Sequence, residues 1–200
     1  MKTTLQSLRQ ELVDKALAAF HAGLFSGTSG NLSCRAAPDE MLITPTSVRY
    51  DVLRAEDIVR MRLDGMVLEG ALPPSSEWRL HAAVYKAYPE TNAAIHTHSP
   101  YATAFAAVRE PIPAVLIEAR IFLGGEVRCA AYAAPGTEAV GANAVPALRG
   151  RGGCTLANHG ALAVGDDLAQ AYLRAEYIED TAKICALARS LGTPVELKTL

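Results

Sequence analysis

His96 and His98 are separated by one residue in the stretch Ile95-His96-Thr97-His98-Ser99. Successive side chains of an extended strand point to opposite faces, so this spacing puts both imidazoles on one side and Thr97 on the other. Ala93-Ala94-Ile95 in front of the pair is apolar enough to be a buried strand. Ser99-Pro100 behind it ends the ladder, because proline has no N–H to donate. The pair therefore falls at a strand end beside a loop, where sites are commonly built. By itself it fits two ligands closing on one metal ion, or a strand whose polar face happens to carry histidines.

A third histidine stands in a similar setting in Leu156-Ala157-Asn158-His159-Gly160-Ala161-Leu162, where a turn signal interrupts an apolar strand. Three neutral imidazoles with one position left open describe a catalytic zinc site better than a structural one, which closes with four ligands and usually uses cysteine. The cysteines, Cys34, Cys129, Cys154 and Cys185, are scattered without a Cys-x-x-Cys unit and read as buried reduced thiols. Cys154 lies close to His159, but its apolar surroundings make it a packing residue rather than a ligand.

Three loops rich in small and hydroxyl residues could serve such a centre. Ser26-Gly27-Thr28-Ser29-Gly30-Asn31 opens into a short strand, and its backbone N–H groups suit an anion or form a flexible connector. Thr44-Pro45-Thr46-Ser47 follows the strand Met41-Leu42-Ile43 and offers hydroxyls to a phosphate, or a turn. Pro73-Pro74-Ser75-Ser76-Glu77 precedes a helical pattern of Trp78, Leu80, His81, Val84, Tyr85 and Tyr88. Serine there is a natural cap, and the free N–H groups of the helix start suit an anion. Glu77 in the first turn is favourable against the helix dipole. His81, one turn on, reads as a hydrogen-bonded packing residue.

The positioning elements follow from periodicity. Leu8, Leu12, Ala16, Ala19 and Phe20 predict an amphipathic helix from Leu5 that ends at Gly23. Ile58 to Leu68 predicts a hairpin with its turn at Asp64-Gly65, and Tyr101 to Val108 a short helix. Ile112 to Ile117 reads as an irregular extended piece leading to a charged island, Glu118-Ala119-Arg120. A strand over 127–132 and a helix over 136–148 come next. Asp166-Asp167 caps a last long helix with an apolar stripe from Leu168 to Ala188. Helices and strands mix without strict alternation, which predicts α and β layers about a largely antiparallel or mixed sheet.

The 200 residues suit one domain, with half of them apolar, a fifth charged and a formal net charge of −2. There is no basic field for nucleic acid or an anionic membrane. Met1-Lys2-Thr3-Thr4-Leu5 runs into charged residues without a signal peptide's apolar core, and no later apolar run reaches membrane-spanning length. The expectation is a cytoplasmic protein.

Gly27-Thr28-Ser29-Gly30-Asn31-Leu32-Ser33, Leu42-Ile43-Thr44-Pro45-Thr46, Pro74-Ser75-Ser76-Glu77, His96-Thr97-His98 and Asn158-His159-Gly160 together resemble the class II aldolase/adducin family, most of all its fuculose-phosphate aldolase branch. The resemblance implies a three-layer α/β/α sandwich about a mainly antiparallel sheet and a homotetramer. It implies that His96, His98 and His159 hold a divalent ion, typically Zn2+ but also Mn2+ or Co2+. Glu77 would be the acid/base residue and an occasional fourth ligand. Gly30, Asn31, Thr46, Ser47, Ser75 and Ser76 would bind the phosphate of a sugar substrate. The implied reaction is cleavage of a phosphorylated ketose to dihydroxyacetone phosphate and an aldehyde, with a metal Lewis acid and no lysine Schiff base. The same family also holds pentulose-phosphate 4-epimerases, methylthioribulose-phosphate dehydratases, oxo-tetronate-phosphate decarboxylases and non-catalytic adducin-like interaction modules. Two departures stand out: Ser47 occupies a place where such aldolases usually carry glycine, and no tyrosine follows Ile112-Pro113-Ala114 to protonate the leaving aldehyde.

Overall fold

The computed structural model describes residues 4–199. Residues 1–3, where the reading of the amino terminus begins, and residue 200 lie outside that range. Helix α1 (Leu5–His21) starts at Thr4, whose hydroxyl accepts from the Ser7 amide in a reciprocal capping box. It stops as expected at Gly23, which takes the left-handed conformation at φ 75°.

The strands are β1 (Asn31–Ala37), β2 (Glu40–Ile43), β3 (Val59–Arg62), β4 (Val67–Glu69), β5 (Ala93–Thr97), β6 (Arg128–Ala130), β7 (Gly153–Leu156) and β8 (Gly160–Gly165). They form one sheet in the order β4-β3-β2-β1-β5-β8-β7-β6. Neighbours are antiparallel except β6 and β7, which run parallel. Helices α2 (Trp78–Ala87) and α5 (Glu138–Leu148) cover one face. The other face carries α1, α3 (Pro100–Val108), α4 (Ile117–Leu123) and α6 (Leu168–Arg189).

The period of two along each strand divides its side chains between two cores. Met41, Ile43, Ala94, Leu162 and Val164 pack toward α2 and α5. Leu42, Ala93, Ile95, Ala161 and Ala163 pack toward the other four helices. This is the three-layer α/β/α arrangement with a mainly antiparallel, mixed sheet. Strands buried on both faces have to be apolar throughout, which is why Ala93-Ala94-Ile95 reads as a continuous run. Among the described residues no helix is long and apolar enough to cross a membrane.

Two expectations change. Ile117, Glu118, Ala119 and Arg120 belong to helix α4 rather than to an extended piece and a charged island. Its buried positions, Ala119 and Leu123, are one turn apart, but Ile117 and Ile121 on its exposed side are also apolar, which erases the amphipathic signal. The strand expected over 127–132 pairs with β7 only across Arg128–Ala130, while Val127 forms a separate bridge with Ile112. The 58–68 hairpin forms, with Gly65 at φ 102° in its turn, and Asp167 caps α6 by accepting from the Gln170 amide.

Helices α2 and α5 cross where Gly141 leaves no room for a side chain. A β-carbon there would overlap that of Ala83 and lie 3.2 Å from the Arg79 carbonyl oxygen. Gly141→Val is expected to cost about 1–3 kcal/mol by overpacking. Urea unfolding should show this as a lower midpoint at unchanged slope.

Candidate metal centre and active site

Strand β5 lies in the middle of the sheet, with Asn31 of β1 directly opposite His96 on one side and Leu162 of β8 on the other. Directly opposed residues share a face, so Asn31 and His96 both point toward α2. The His96 ring is fully buried, and its Nδ1 lies 2.9 Å from the Ala161 carbonyl oxygen. That oxygen can only accept, so Nδ1 carries a proton and Nε2 is the nitrogen turned toward the centre.

His98 sits just past the end of β5, where its amide donates to the Leu24 carbonyl. Pro100 then starts α3. The Glu179 carboxylate of α6 accepts the free amides of Tyr101 at 2.9 Å and Ala102 at 2.8 Å, which fixes the helix start behind the histidine.

His159 stands on the β7–β8 turn. Asn158 before it takes a left-handed conformation at φ 55°, which asparagine tolerates. The Asn158 amide donates to Ala106, its side-chain NH2 to Ala107, and its Oδ1 accepts from Arg109, so the turn is tied to the end of α3. Gly160 after it is required by crowding. A β-carbon there would overlap the Thr97 carbonyl oxygen and lie 3.2 Å from Cε1 of His96.

Glu77 is the N-cap residue of α2, but its side chain makes no cap bond. This corrects two expectations: Glu77 lies just before the first turn, and neither serine is the capping residue. Ser75 Oγ instead accepts from the Glu77 amide at 3.3 Å. The carboxylate is drawn inward, with Oε2 3.1 Å from His96 Nε2 and 3.1 Å from the Asn31 side-chain nitrogen. Oε1 lies 3.3 Å from His159 Nε2, yet it is buried with no hydrogen-bond partner.

One ligand atom from each of Glu77, His96, His98 and His159 falls within 4.8 Å of all the others. Burial by itself would raise the Glu77 carboxyl, but His96, His159 and Asn31 together bring it down to about 2. Burial lowers His98 to about 4, and it lowers His159 as well. At His98 and His159 the centre is therefore a carboxylate facing neutral imidazoles. His96 Nε2 and His98 Nε2 approach to 2.9 Å. Imidazole nitrogens converging beside an unpartnered carboxylate oxygen would suit a divalent ion, and the half-buried His98 and His159 would leave that ion accessible to a substrate.

The three loops meet beside this centre. Leu32 and Thr44 exchange hydrogen bonds, the Ser75 amide donates to the Thr44 carbonyl, and the Thr46 amide donates to the Pro73 carbonyl. Gly30 and Thr46 are half-buried, Ser75 is buried, and Ser47 and Ser76 are exposed. Ser47 has φ 60°, a left-handed conformation that explains why glycine suits this place. Asn31 differs from the others, since its side chain is buried and committed to Glu77 and His81. Sequence reasoning gave no role to Ser33, which bonds His81 behind Asn31, or to Tyr85, which bonds Ser33. The available signal was His81 and Tyr85 at a helical spacing of four on an otherwise apolar stripe.

The family described as Class II Aldolase and Adducin N-terminal domain matches residues 10–186. The chain belongs to the class II aldolase and adducin family. Similar relatives include the 5-methylthioribulose-1-phosphate/5-deoxyribulose-1-phosphate aldolase of Rhodospirillum rubrum, 39% identical across 88% of this chain and 79% of the relative. The 5-deoxy-D-ribulose 1-phosphate aldolase of Bacillus thuringiensis is 37% identical across 95% and 89%. The L-fuculose phosphate aldolase of Escherichia coli O6:H1 is 36% identical across 94% and 86%. Among solved structures, an L-fuculose 1-phosphate aldolase superposes with TM-score 0.91 at 39% identity, covering 95% of this chain and 90% of that one.

In this member of the family the closeness of Gly160 to His96 can be tested. Gly160→Ala should move the β8 start or the His96 ring and weaken divalent-metal binding about 10–100-fold, the usual effect of disturbing groups that orient ligands. Titration with Co2+ followed by visible absorption measures it, and unchanged affinity would show that the contact is slack.

Proposed function

We propose that this chain is an aldolase that cleaves a ketose 1-phosphate to dihydroxyacetone phosphate and an aldehyde, with Glu77 as its acid/base residue. The observation that carries the reading is Glu77 Oε1, a buried carboxylate oxygen without a hydrogen-bond partner, aimed among three inward-facing imidazoles. His96, His98, His159 and, before substrate arrives, Glu77 would hold the ion, for which zinc fits three nitrogen ligands best. Bound there, the ion supplies Lewis acidity toward the ketose oxygens.

Glu77 keeps Oε2 on the Asn31 amide and presents Oε1 to take a proton from the substrate or return it. Its ionised state near neutral pH is the one a base needs. Thr46, Ser47, Ser75, Ser76 and the Gly30 backbone hold the phosphate, a part of the substrate that does not react, so that its binding energy positions the rest. Asn31 contributes to that site through Glu77 and through its main chain. The complete histidine set and the inward Glu77 favour an enzyme over an adducin-like interaction module.

Reduced thiols at Cys34, Cys129, Cys154 and Cys185 suit a cytoplasmic setting. Exposed Ile117 and Ile121 on α4 would give a homotetramer an apolar contact. The relatives named for 5-deoxyribulose 1-phosphate and fuculose phosphate, together with the missing tyrosine after Ala114, widen the substrate class to 5-deoxypentulose and 6-deoxyhexulose 1-phosphates.

Incubation with 5-deoxyribulose, 5-methylthioribulose and fuculose 1-phosphates should release dihydroxyacetone phosphate from at least one. Release from none would end the aldolase reading. The purified protein should hold about one divalent ion per chain, and His96→Ala should lose most of it. Glu77→Gln should keep the ion but turn over at least about 100-fold more slowly. Ser76→Ala should raise KM about tenfold, the loss of one charge-assisted hydrogen bond, with kcat unchanged. Equal turnover of unphosphorylated ketoses would remove the phosphate site from this account.

A further inference from the structure

Between α2 and β1 a row of buried polar side chains leads away from Glu77, and its far members, Ser33, His81 and Tyr85, have no part in the proposed reaction. Glu77, His81 and Tyr85 recur every four residues on the helix, a rise of about 6 Å per step. Asn31 and Ser33 recur every two on the strand, about 6.6 Å per step. The strides nearly match, so the two rows interdigitate.

Their hydrogen bonds form an unbroken chain. Tyr85 Oη lies 2.7 Å from Ser33 Oγ, and Ser33 Oγ 2.6 Å from His81 Nδ1. His81 Nε2 lies 2.5 Å from Asn31 Oδ1, and Asn31 Nδ2 3.1 Å from Glu77 Oε2. Ser33, His81 and Tyr85 are at most 1% exposed, so no solvent substitutes for any link.

Donor chemistry gives the chain one direction. The Glu77 carboxylate accepts only, so Asn31 must turn its NH2 toward it and its Oδ1 toward His81. That oxygen also accepts only, so His81 carries its proton on Nε2, and its Nδ1 is left to accept from the Ser33 hydroxyl. Ser33 in turn accepts from Tyr85. A flipped Asn31 would set oxygen against carboxylate and NH2 against the His81 N–H, two repulsive contacts in a buried site. Burial brings His81 down to about 3, which keeps the ring neutral.

We propose that His81, held in its Nε2–H tautomer by Ser33 and Tyr85, is a positioning residue that sets the orientation of the Asn31 amide and thereby of the Glu77 carboxylate. It contacts neither the metal ligands' inward atoms nor substrate. The kinetic consequence rests on Glu77 acting as proposed above; the tautomer and the orientation do not.

Two substitutions and one spectrum test this. His81→Phe fills the space without a donor, whereas His81→Gln can place an amide N–H where Nε2–H stood. In the metal-loaded enzyme, His81→Phe should lower kcat about 10–100-fold with KM within about twofold, and His81→Gln should recover most of the loss. The visible spectrum of bound Co2+ should change in His81→Phe and return in His81→Gln, because the carboxylate beside the ion is reoriented in the first alone. A long-range proton–nitrogen correlation spectrum of histidine-labelled wild type should show the Nε2–H form at His81. If His81→Phe does not fold, Ser33→Ala, which frees the tautomer but keeps the donor, should shift the spectra in the same sense. The Nδ1–H form in wild type, an unchanged kcat and Co2+ spectrum in folded His81→Phe, or equal losses in Phe and Gln variants would each overturn the proposal. Should wild type cleave no sugar phosphate, the function above falls while the histidine spectrum still decides this point.

Discussion

The register between β1 and β5, with Asn31 opposite His96, is the constraint on which the site depends. A slip of one residue would turn every side chain of β1 to the other face and carry Asn31 and Ser33 away from α2. The apolar alternation forbids that slip, because Leu32 and Cys34 would leave the core they share with Ile95. The same pattern that packs the sheet therefore delivers two polar residues to the helix bearing Glu77. Hydrophobic burial supplies the stability, and the few polar groups on that face inherit their positions from it.

Close backbone approach is the second recurring device, and it is concentrated around the histidines. Gly30 sits at φ 90° with the His96 carbonyl 2.9 Å from where a β-carbon would be. Gly160 is crowded by Thr97, and Asn158 turns left-handed to bring His159 round. These residues react with nothing. The glycines let three strands converge closely enough for imidazoles from separate segments to face a common point, and the two ends of α3 are satisfied in the process by Glu179 and Asn158.

Much of this was legible in the chain. The His96–His98 spacing and the Asn-His-Gly turn identified three members of the cluster, because strand alternation and turn chemistry are local rules. Position 47 was marked as unusual, and its left-handed backbone gives the reason. What stayed hidden was set by tertiary packing. Helix α4 is apolar on its exposed side as well as its buried one, so periodicity carried no signal. By local rules Glu77 reads only as a favourable charge at a helix start; the family resemblance put it beside the histidines, and the fold shows its carboxylate turned away from that helix toward His96. Likewise Asn31 read as a loop residue for an anion, whereas the interior claims its side chain at both ends.

The sheet order has a kinetic corollary. Strand β5 takes its partners from β1, about sixty positions earlier, and from β8, about as far along, so neither flank of the centre arises from a hairpin. Loop closure over such separations is slow, and it is rewarded only once the middle of the sheet has zipped. The four-residue cluster consequently exists only once these separated strands have paired. A cation that needs all four groups binds the finished molecule and not its precursors, and so draws the folding equilibrium forward by mass action. Partly folded chains would be sorted by the same token: occupancy of the centre reports that the middle strands of the sheet have come together.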